Sequence, residues 1–249
     1  MTAPVWIDAQ WPCPPNVRAI ATTRIGGVSG GAYESLNLAM HVGDDPLSVR
    51  RNREILRTSA QFPREPAWLN QIHGIEVVEA QEFSAPPAAD AAVAIHNSNV
   101  CVVMTADCLP VLFCDRTGTR VAAAHAGWRG LVGGVLQATI RALRCDPAEL
   151  IAWLGPAIEQ DAFEVGAEVR EQFVAVDSEH TVSFVQNAQG RWQADLYGLA
   201  RRTLERAGVP FIFGGGFRCF ADRERFFSYR RDQRTGRMAS LIWLRSERE

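Results

Sequence analysis

Residues 109–124 read LPVLFCDRTGTRVAAA and are the clearest structural signal in the chain. Two apolar runs, residues 109–114 and 120–124, flank Asp115-Arg116-Thr117-Gly118, a sequence typical of a turn. The pattern predicts a β-hairpin. Neither run shows the polar–apolar alternation of a strand with one exposed face, so we expect both faces of this hairpin to be buried.

Similar apolar segments lie on both sides of the hairpin. Strands are predicted at residues 17–23, 75–80, 91–95, 100–105, 151–154, 211–213 and 238–244. Helices are predicted at residues 45–60, where Asp45 caps and Pro46 suits the first turn, and at 128–143, 165–174 and 195–207. Because strands cluster and helices do not alternate strictly with them, the pattern favours an α+β fold over a doubly wound sheet.

Length, charge and cysteine content exclude several classes of protein. The 249 residues are 47% hydrophobic, which is enough for a large core in one domain. A net charge of -2 and a pI near 6.2 give no electrostatic footprint for nucleic acid or a membrane surface. No apolar run approaches the roughly 20 residues of a membrane span, and the first residues lack a secretory pattern. Six cysteines do not make a disulfide scaffold at this length, so we expect a cytoplasmic protein.

One thiol and two imidazoles stand out as candidate catalytic groups. Cys108, in Ala106-Asp107-Cys108-Leu109-Pro110, lies at a polar break between two apolar strands. His125 ends the second strand of the hairpin. His73 lies upstream in a loop, after two amide residues. Each residue also has a non-catalytic interpretation. Cys108 could be a buried structural cysteine, His125 a core histidine and His73 an ordinary polar loop residue. His41, His96 and His180, in polar surroundings, are expected on the surface.

Two kinds of chemistry remain open for this set. One thiolate and two neutral imidazoles suit Zn²⁺ and leave a fourth position for water or substrate. Alternatively, Cys108 is a nucleophile and His125 is its base, with Asp107 or a loop amide orienting the imidazole. The spacing matches no local zinc signature, so the three side chains must converge from three separate strand ends.

Further residues are candidates for binding substrate. Arg129 follows His125 in the first turn of a predicted helix, a position that suits an anion as well as a surface ion pair. Gln71 stands beside His73 and can orient it or bind substrate. Arg24 and Asn37 flank the glycine loop at 26–31, which is either a flexible turn or a substrate lid. Asp107 completes this set.

Eight ordered segments extend the pattern over nearly the whole chain. They are TRIGGVS at 23–29, SLNL at 35–38, VRRNR at 49–53, NQIHG at 70–74, TADCLP at 105–110, HAGWRG at 125–130, GPAI at 155–158 and FSYRRD at 227–232. In these segments the sequence resembles the YfiH-like, laccase-domain family of purine nucleoside phosphorylases. It shows no departure from the family at His73, Cys108 and His125.

The resemblance implies one catalytic domain over residues 1–249, a four-layer α/β/β/α sandwich with mixed sheets. It implies a metal held by His73, Cys108 and His125, usually zinc, with copper claimed for some members. It also implies a purine nucleoside and phosphate as substrates: phosphorolysis of adenosine, inosine and methylthioadenosine, with deamination of adenosine. The paired-cysteine signature of zinc nucleobase deaminases is missing, so deamination requires a different arrangement.

Two other activities follow from the same resemblance. Some members are described as editors of peptidoglycan precursors, which agrees with an amide hydrolase that uses Cys108 and His125. Others are called polyphenol oxidases. Five histidines with no His-x-His pair are too few for the several coppers of a multicopper oxidase, so this activity is the least favoured.

Overall fold

The computed structural model describes residues 3–96 and 98–245, and the fold is α+β. Within these residues the strands are β1 Trp6–Asp8, β2 Val17–Thr22, β3 Val77–Glu79, β4 Ala91–Ile95, β5 Cys101–Thr105, β6 Leu109–Asp115, β7 Arg120–Ala126, β8 Leu150–Leu154, β9 Glu164–Val165, β10 Phe184–Gln186, β11 Trp192–Ala194, β12 Phe211–Gly214 and β13 Met238–Leu244. The α-helices are α1 Pro46–Ala60, α2 Trp128–Gly133, α3 Val135–Ala142, α4 Ala167–Val176, α5 Leu196–Arg206 and α6 Tyr229–Asp232. None of the helices in the described residues is long and apolar enough to cross a membrane.

The strands form three sheets. A six-stranded sheet has the order β12-β8-β6-β7-β4-β3, with parallel pairs at its two ends and antiparallel pairs between them. A four-stranded antiparallel sheet has the order β1-β2-β13-β5, and a three-stranded one has the order β10-β11-β9. The prediction of an α+β fold is confirmed, and only the largest sheet is mixed.

The predicted hairpin is the centre of the six-stranded sheet. Strands β6 and β7 pair with Pro110 opposite His125 and Phe113 opposite Ala122. Val111 and Phe113 face one apolar cluster, and Leu112 faces another, because successive side chains of a strand point to opposite faces. Every residue of β6 is buried, so the expectation of two covered faces is confirmed.

Each large sheet packs apolar side chains on both of its faces. On the first face of the six-stranded sheet, Leu136 of α3 and Leu199 of α5 join the cluster of Phe113. The opposite face shares its cluster with the four-stranded sheet, through Val103 of β5. The far side of the four-stranded sheet packs on α1 through Leu56. Packing on both faces restrains the two large sheets. It therefore holds in place the strand ends at which the candidate site lies.

The helix predicted at residues 128–143 is two helices. Gly134 has φ of 101°, in the left-handed region, and its N–H donates to the carbonyls of Gly130 and Leu131. This geometry ends α2 and lets α3 start in a new direction. The helix predicted at 45–60 is confirmed, with the Asp45 carboxylate accepting from two backbone N–H groups of the first turn.

Several other expectations need correction. Residues 226–232, for which the sequence favours a strand end over a polar rim of the site, place two buried phenylalanines before the short helix α6. His180, expected on the surface, is 3% exposed and its ring lies edge-on to Phe173. Four short edge or outlying strands, β1, β9, β10 and β11, were not predicted because each has only two or three residues, too few for a periodic signal.

The helix break at Gly134 predicts that alanine changes the free energy of unfolding differently at two neighbouring glycines. We expect Gly134→Ala to lower the free energy of unfolding by about 1–2 kcal/mol, because an L side chain is strained at positive φ. Gly133→Ala is the control: this glycine is exposed and helical, and a Cβ there would lie 3.2 Å from the Cγ2 of the exposed Ile75, so alanine should be close to neutral once that side chain shifts. Urea denaturation of the two variants measures both effects, and equal losses would contradict this explanation of the break.

Candidate active site

Three side chains that are far apart in the sequence meet at one edge of the large sheet. His73 comes from the loop before β3, Cys108 from the loop between β5 and β6, and His125 from the end of β7. Their ligand atoms all lie within 4.8 Å of one another, and the Cys108 Sγ is 3.8 Å from the His73 Nε2. The predicted convergence is confirmed.

The buried carboxylate of Asp90 holds two of these groups in place. Its Oδ1 lies 2.8 Å from the His125 Nδ1 and accepts from the backbone N–H of His73 at 3.0 Å. Its Oδ2 accepts from the N–H groups of Ile72 at 3.2 Å and Gly74 at 2.6 Å. With Nδ1 engaged in this way, the other ring nitrogen of His125 is left to act as a ligand or base.

Sequence reasoning missed Asp90, although a signal was present. The residue stands directly before the apolar run of β4, and a charged residue in such a position is rarely buried without a partner. It is 0% exposed. The pKa of Asp90 is lowered: burial raises it, but the hydrogen bonds from His125 and the loop amides outweigh burial.

Two glycines of the HAGWRG segment make this close packing possible. A Cβ at Gly127 would lie 2.9 Å from the His73 Cδ2 and 3.0 Å from the Cys108 Sγ. A Cβ at Gly130 would lie 2.9 Å from the carbonyl oxygen of Gly74. Distances this short leave no room for a side chain. Glycine at these two positions therefore allows α2 to pack closely against the loop that contains His73.

Electrostatics favour a charged thiolate in this cluster. Burial raises the pKa of Cys108, but the charge and hydrogen bonding of His125 and His73 outweigh burial and lower the pKa to about 6. For His125, burial lowers the pKa, but the Cys108 thiolate and Asp90 outweigh burial and raise the pKa to about 9. Without a metal, Cys108 and His125 therefore form a thiolate–imidazolium pair at neutral pH.

The donor set has the chemistry of a metal site. One thiolate sulfur and two imidazole nitrogens are ligands that Zn²⁺ prefers, and three protein ligands leave a coordination position for water or substrate. The carboxylate behind His125 is the partner that a metal-bound histidine usually has. His73, Cys108 and His125 can therefore hold a metal ion.

The cluster forms one wall of an open cavity of about 410 Å³. Volumes in this range accommodate small organic ligands. The lining also includes three polar or aromatic groups that were not predicted to bind substrate: Tyr229, Arg237 and His41, which is exposed as expected. The lining residues are His41, Gln71, His73, Met104, Thr105, Ala106, Cys108, His125, Tyr229 and Arg237.

Two predicted substrate-binding residues lie close to the cluster, but their polar groups are partly engaged. Gln71 lines the cavity, and its amide exchanges two hydrogen bonds with the backbone of Met104. Asp107 is 9% exposed and its Oδ2 accepts from the backbone N–H of Arg230 at 2.6 Å. Its Oδ1 has no hydrogen-bond partner among the described residues.

Asp107 and the other three predicted substrate-binding residues are not among the residues that line the cavity. Arg24 donates to the carbonyls of Glu34 and Arg223. Asn37 is 0% exposed and bonds neighbouring backbone groups and the Asp44 carboxylate. Arg129 is exposed, with its guanidinium over the ring of Trp128. The glycine loop between Arg24 and Asn37 thus gives no direct contact with the cavity.

Proteins similar to this chain are known from several bacteria. A purine nucleoside phosphorylase of Pseudomonas aeruginosa is 54% identical over 240 residues, which are 96% of this chain and 98% of that protein. The purine nucleoside phosphorylase YfiH of Escherichia coli is 52% identical over 239 residues, again 96% of this chain and 98% of that protein.

Solved structures and a family model agree with these relatives. A Neisseria meningitidis crystal structure superposes with a TM-score of 0.94 at 55% identity, covering 97% of this chain and 99% of that one. YlmD from Geobacillus stearothermophilus superposes with a TM-score of 0.92 at 28% identity, covering 99% and 98%. Residues 18–245 match the family model described as multi-copper polyphenol oxidoreductase laccase. The chain belongs to this family, together with the relatives named purine nucleoside phosphorylase.

Proposed function

We propose that this chain is a zinc-dependent purine nucleoside phosphorylase that acts on inosine, adenosine and methylthioadenosine. The observation that carries the proposal is the convergence of His73, Cys108 and His125 on the wall of one open cavity. Relatives with 52% and 54% identity over nearly the full length carry this enzyme name, which supports the choice of reaction.

In this proposal His73, Cys108 and His125 hold the metal and are the catalytic centre. Zinc, when bound there, would supply a Lewis acid that polarises a substrate atom. The cavity brings nucleoside and phosphate together, which replaces a collision of two solutes by a reaction between oriented groups. Asp90 keeps the His125 ring oriented through Nδ1. The same donor set also binds copper, so metal analysis of the purified protein decides between the two ions.

The proposal extends to deamination of adenosine. This reaction replaces the exocyclic amino group by water, so it needs the same nucleoside but no phosphate. Both reactions then use one cavity and one metal centre, and they differ in their second substrate. An assay of ammonia release from adenosine without phosphate separates deamination from phosphorolysis.

A second candidate is an amide hydrolase without a metal. Cys108, His125 and Asp90 stand in the order of nucleophile, base and orienting carboxylate, and the low pKa of Cys108 favours the reactive thiolate. A polyphenol oxidase has less support. Within residues 3–96 and 98–245, only one group of three or more His, Cys, Asp or Glu residues has metal-binding geometry, whereas a multicopper enzyme needs several.

We also propose that residues 1–249 form one catalytic domain with four layers. The apolar clusters support the order α1, four-stranded sheet, six-stranded sheet and then α3 with α5. In that order the hairpin lies in an inner layer, which accounts for its two buried faces.

The proposed activity is tested by a steady-state assay with a matched cysteine variant. Zinc-loaded protein with inosine and phosphate should release hypoxanthine and ribose 1-phosphate. Cys108→Ala should lose zinc and more than about 100-fold in kcat/KM, since a metal contributes several kcal/mol to such a reaction. Cys114→Ala, in the same hairpin but away from the cluster, should keep both. A fully zinc-loaded protein that releases no hypoxanthine would end the proposal.

The amide-hydrolase alternative predicts a different outcome. Trapping with amide or ester substrates, followed by mass spectrometry of the intact chain, should give an acyl adduct on Cys108 if this residue is the nucleophile. We expect no adduct, because the thiolate is a metal ligand in the proposed enzyme. An adduct that forms with metal-free protein at a rate matching turnover would replace the phosphorylase proposal by the hydrolase.

The role of Asp90 is tested against a second buried carboxylate. We expect Asp90→Asn to weaken zinc binding about 10–100-fold, because it removes the negative charge behind His125 and replaces one acceptor oxygen by an NH2 donor. Asp115→Asn is the control: Asp115 also accepts from two backbone N–H groups, at the other end of the hairpin. Both variants should lose stability, and competition with a zinc chelator measures affinity. Equal zinc affinity in the two variants would refute the role of Asp90.

A further inference from the structure

Arg237 is the strongest unexplained feature of the cavity. Among the described lining residues it is the only Arg or Lys, and the lining includes no Asp or Glu. Arg237 makes no ion pair within the part of the chain that the structure describes, and its guanidinium lies 5.7 Å from the ring centre of Tyr229. Asp107 and Cys108 are near enough to influence its pKa, but no described carboxylate lies within ion-pair distance, so the guanidinium remains a source of positive potential in the cavity.

The backbone holds Arg237 in this position. Its Nη1 donates to the carbonyls of Thr235 and Gly236, both at 3.0 Å. Its own N–H donates to the Oδ1 of Asn37 at 3.0 Å, and a Cβ at Gly236 would lie 2.9 Å from the Asn37 Cβ. The segment is therefore tightly packed. Nε and Nη2 of Arg237 donate to no described residue, which leaves guanidinium donors for a ligand.

We propose that Arg237 binds the phosphate that attacks the nucleoside in the cavity. This inference rests on the proposed phosphorylase function. A guanidinium with free N–H groups recognises phosphate oxygens through charge-assisted, often bidentate hydrogen bonds. Cys108 and Arg237 line the same cavity, so a phosphate bound to Arg237 lies in the cavity that also contains the proposed metal centre.

The reaction balances with phosphate in this place. A phosphate oxygen forms a bond to ribose C1′, and the bond from C1′ to the base nitrogen N9 breaks. The base leaves with the electron pair of that bond and takes up the proton of monohydrogen phosphate. Arg237 stabilises the negative oxygens and orients them, and it transfers no proton, because its guanidinium stays charged at neutral pH.

The two arginines among the predicted substrate-binding residues are less suitable for phosphate. Arg24 uses Nε and Nη1 on backbone carbonyls and does not line the cavity. Arg129 is exposed over Trp128, outside the cavity lining. Asn37, a predicted substrate-binding residue, acts through Arg237 in this arrangement, because it fixes the backbone of that residue.

The test compares the kinetic constants of three arginine variants in zinc-loaded protein. Arg237→Gln should raise the KM for phosphate roughly 10- to 100-fold, because the loss of a hydrogen bond to a charged group has an effect of this size. The same variant should change the KM for inosine less than about threefold. Arg237→Lys should recover part of the loss, since it keeps the charge without the planar fork. Arg129→Gln is the matched control and should leave both constants unchanged.

Direct binding separates this inference from the proposed function. A ³¹P NMR titration with inorganic phosphate should show binding to the wild-type protein and weaker binding to Arg237→Gln, whether or not inosine is cleaved. Zinc content and melting temperature of each variant report on folding. An inosine KM that rises while the phosphate KM stays constant would overturn the assignment. So would phosphate binding that is unchanged in Arg237→Gln or absent from the wild-type protein.

Discussion

The hydrogen bond between the Asp90 carboxylate and the His125 ring is the interaction on which the site depends. This fully buried carboxylate accepts hydrogen bonds from four N–H groups, and these link the end of β7 to the loop that contains His73. An isolated buried charge costs several kcal/mol, so this arrangement persists only because each acceptor position is used. The buried carboxylate is stable only when it accepts these hydrogen bonds, and the hydrogen bonds fix the positions of His73 and His125.

The hairpin supplies the rigid part of this arrangement. Pairing of Pro110 with His125 brings the end of β7 beside the start of β6, where Cys108 stands. Both faces of the hairpin are covered by apolar clusters, so neither strand can slip by one residue without exposing its core side chains. A fixed register keeps the thiol and the imidazole within reach of one ion.

Two groups of different structural origin line the cavity: a cluster that could hold a metal ion, and the guanidinium of Arg237. Strand ends and the Asp90 carboxylate fix the first, whereas turn backbone around Gly236 fixes the second. A cavity that offers both groups agrees with the proposed reaction between a nucleoside and an inorganic anion.

The hairpin, the capped helix α1 and the set of His73, Cys108 and His125 are predictable from the sequence, because periodicity, capping and reactive side chains are local signals. The contact of Asp90 with His125 and the place of Arg237, rather than Arg129, on the cavity wall become visible in the folded chain. Partners of a buried carboxylate and the direction of an arginine depend on which segments pack together. Such contacts join residues far apart in the chain, and no local pattern encodes them.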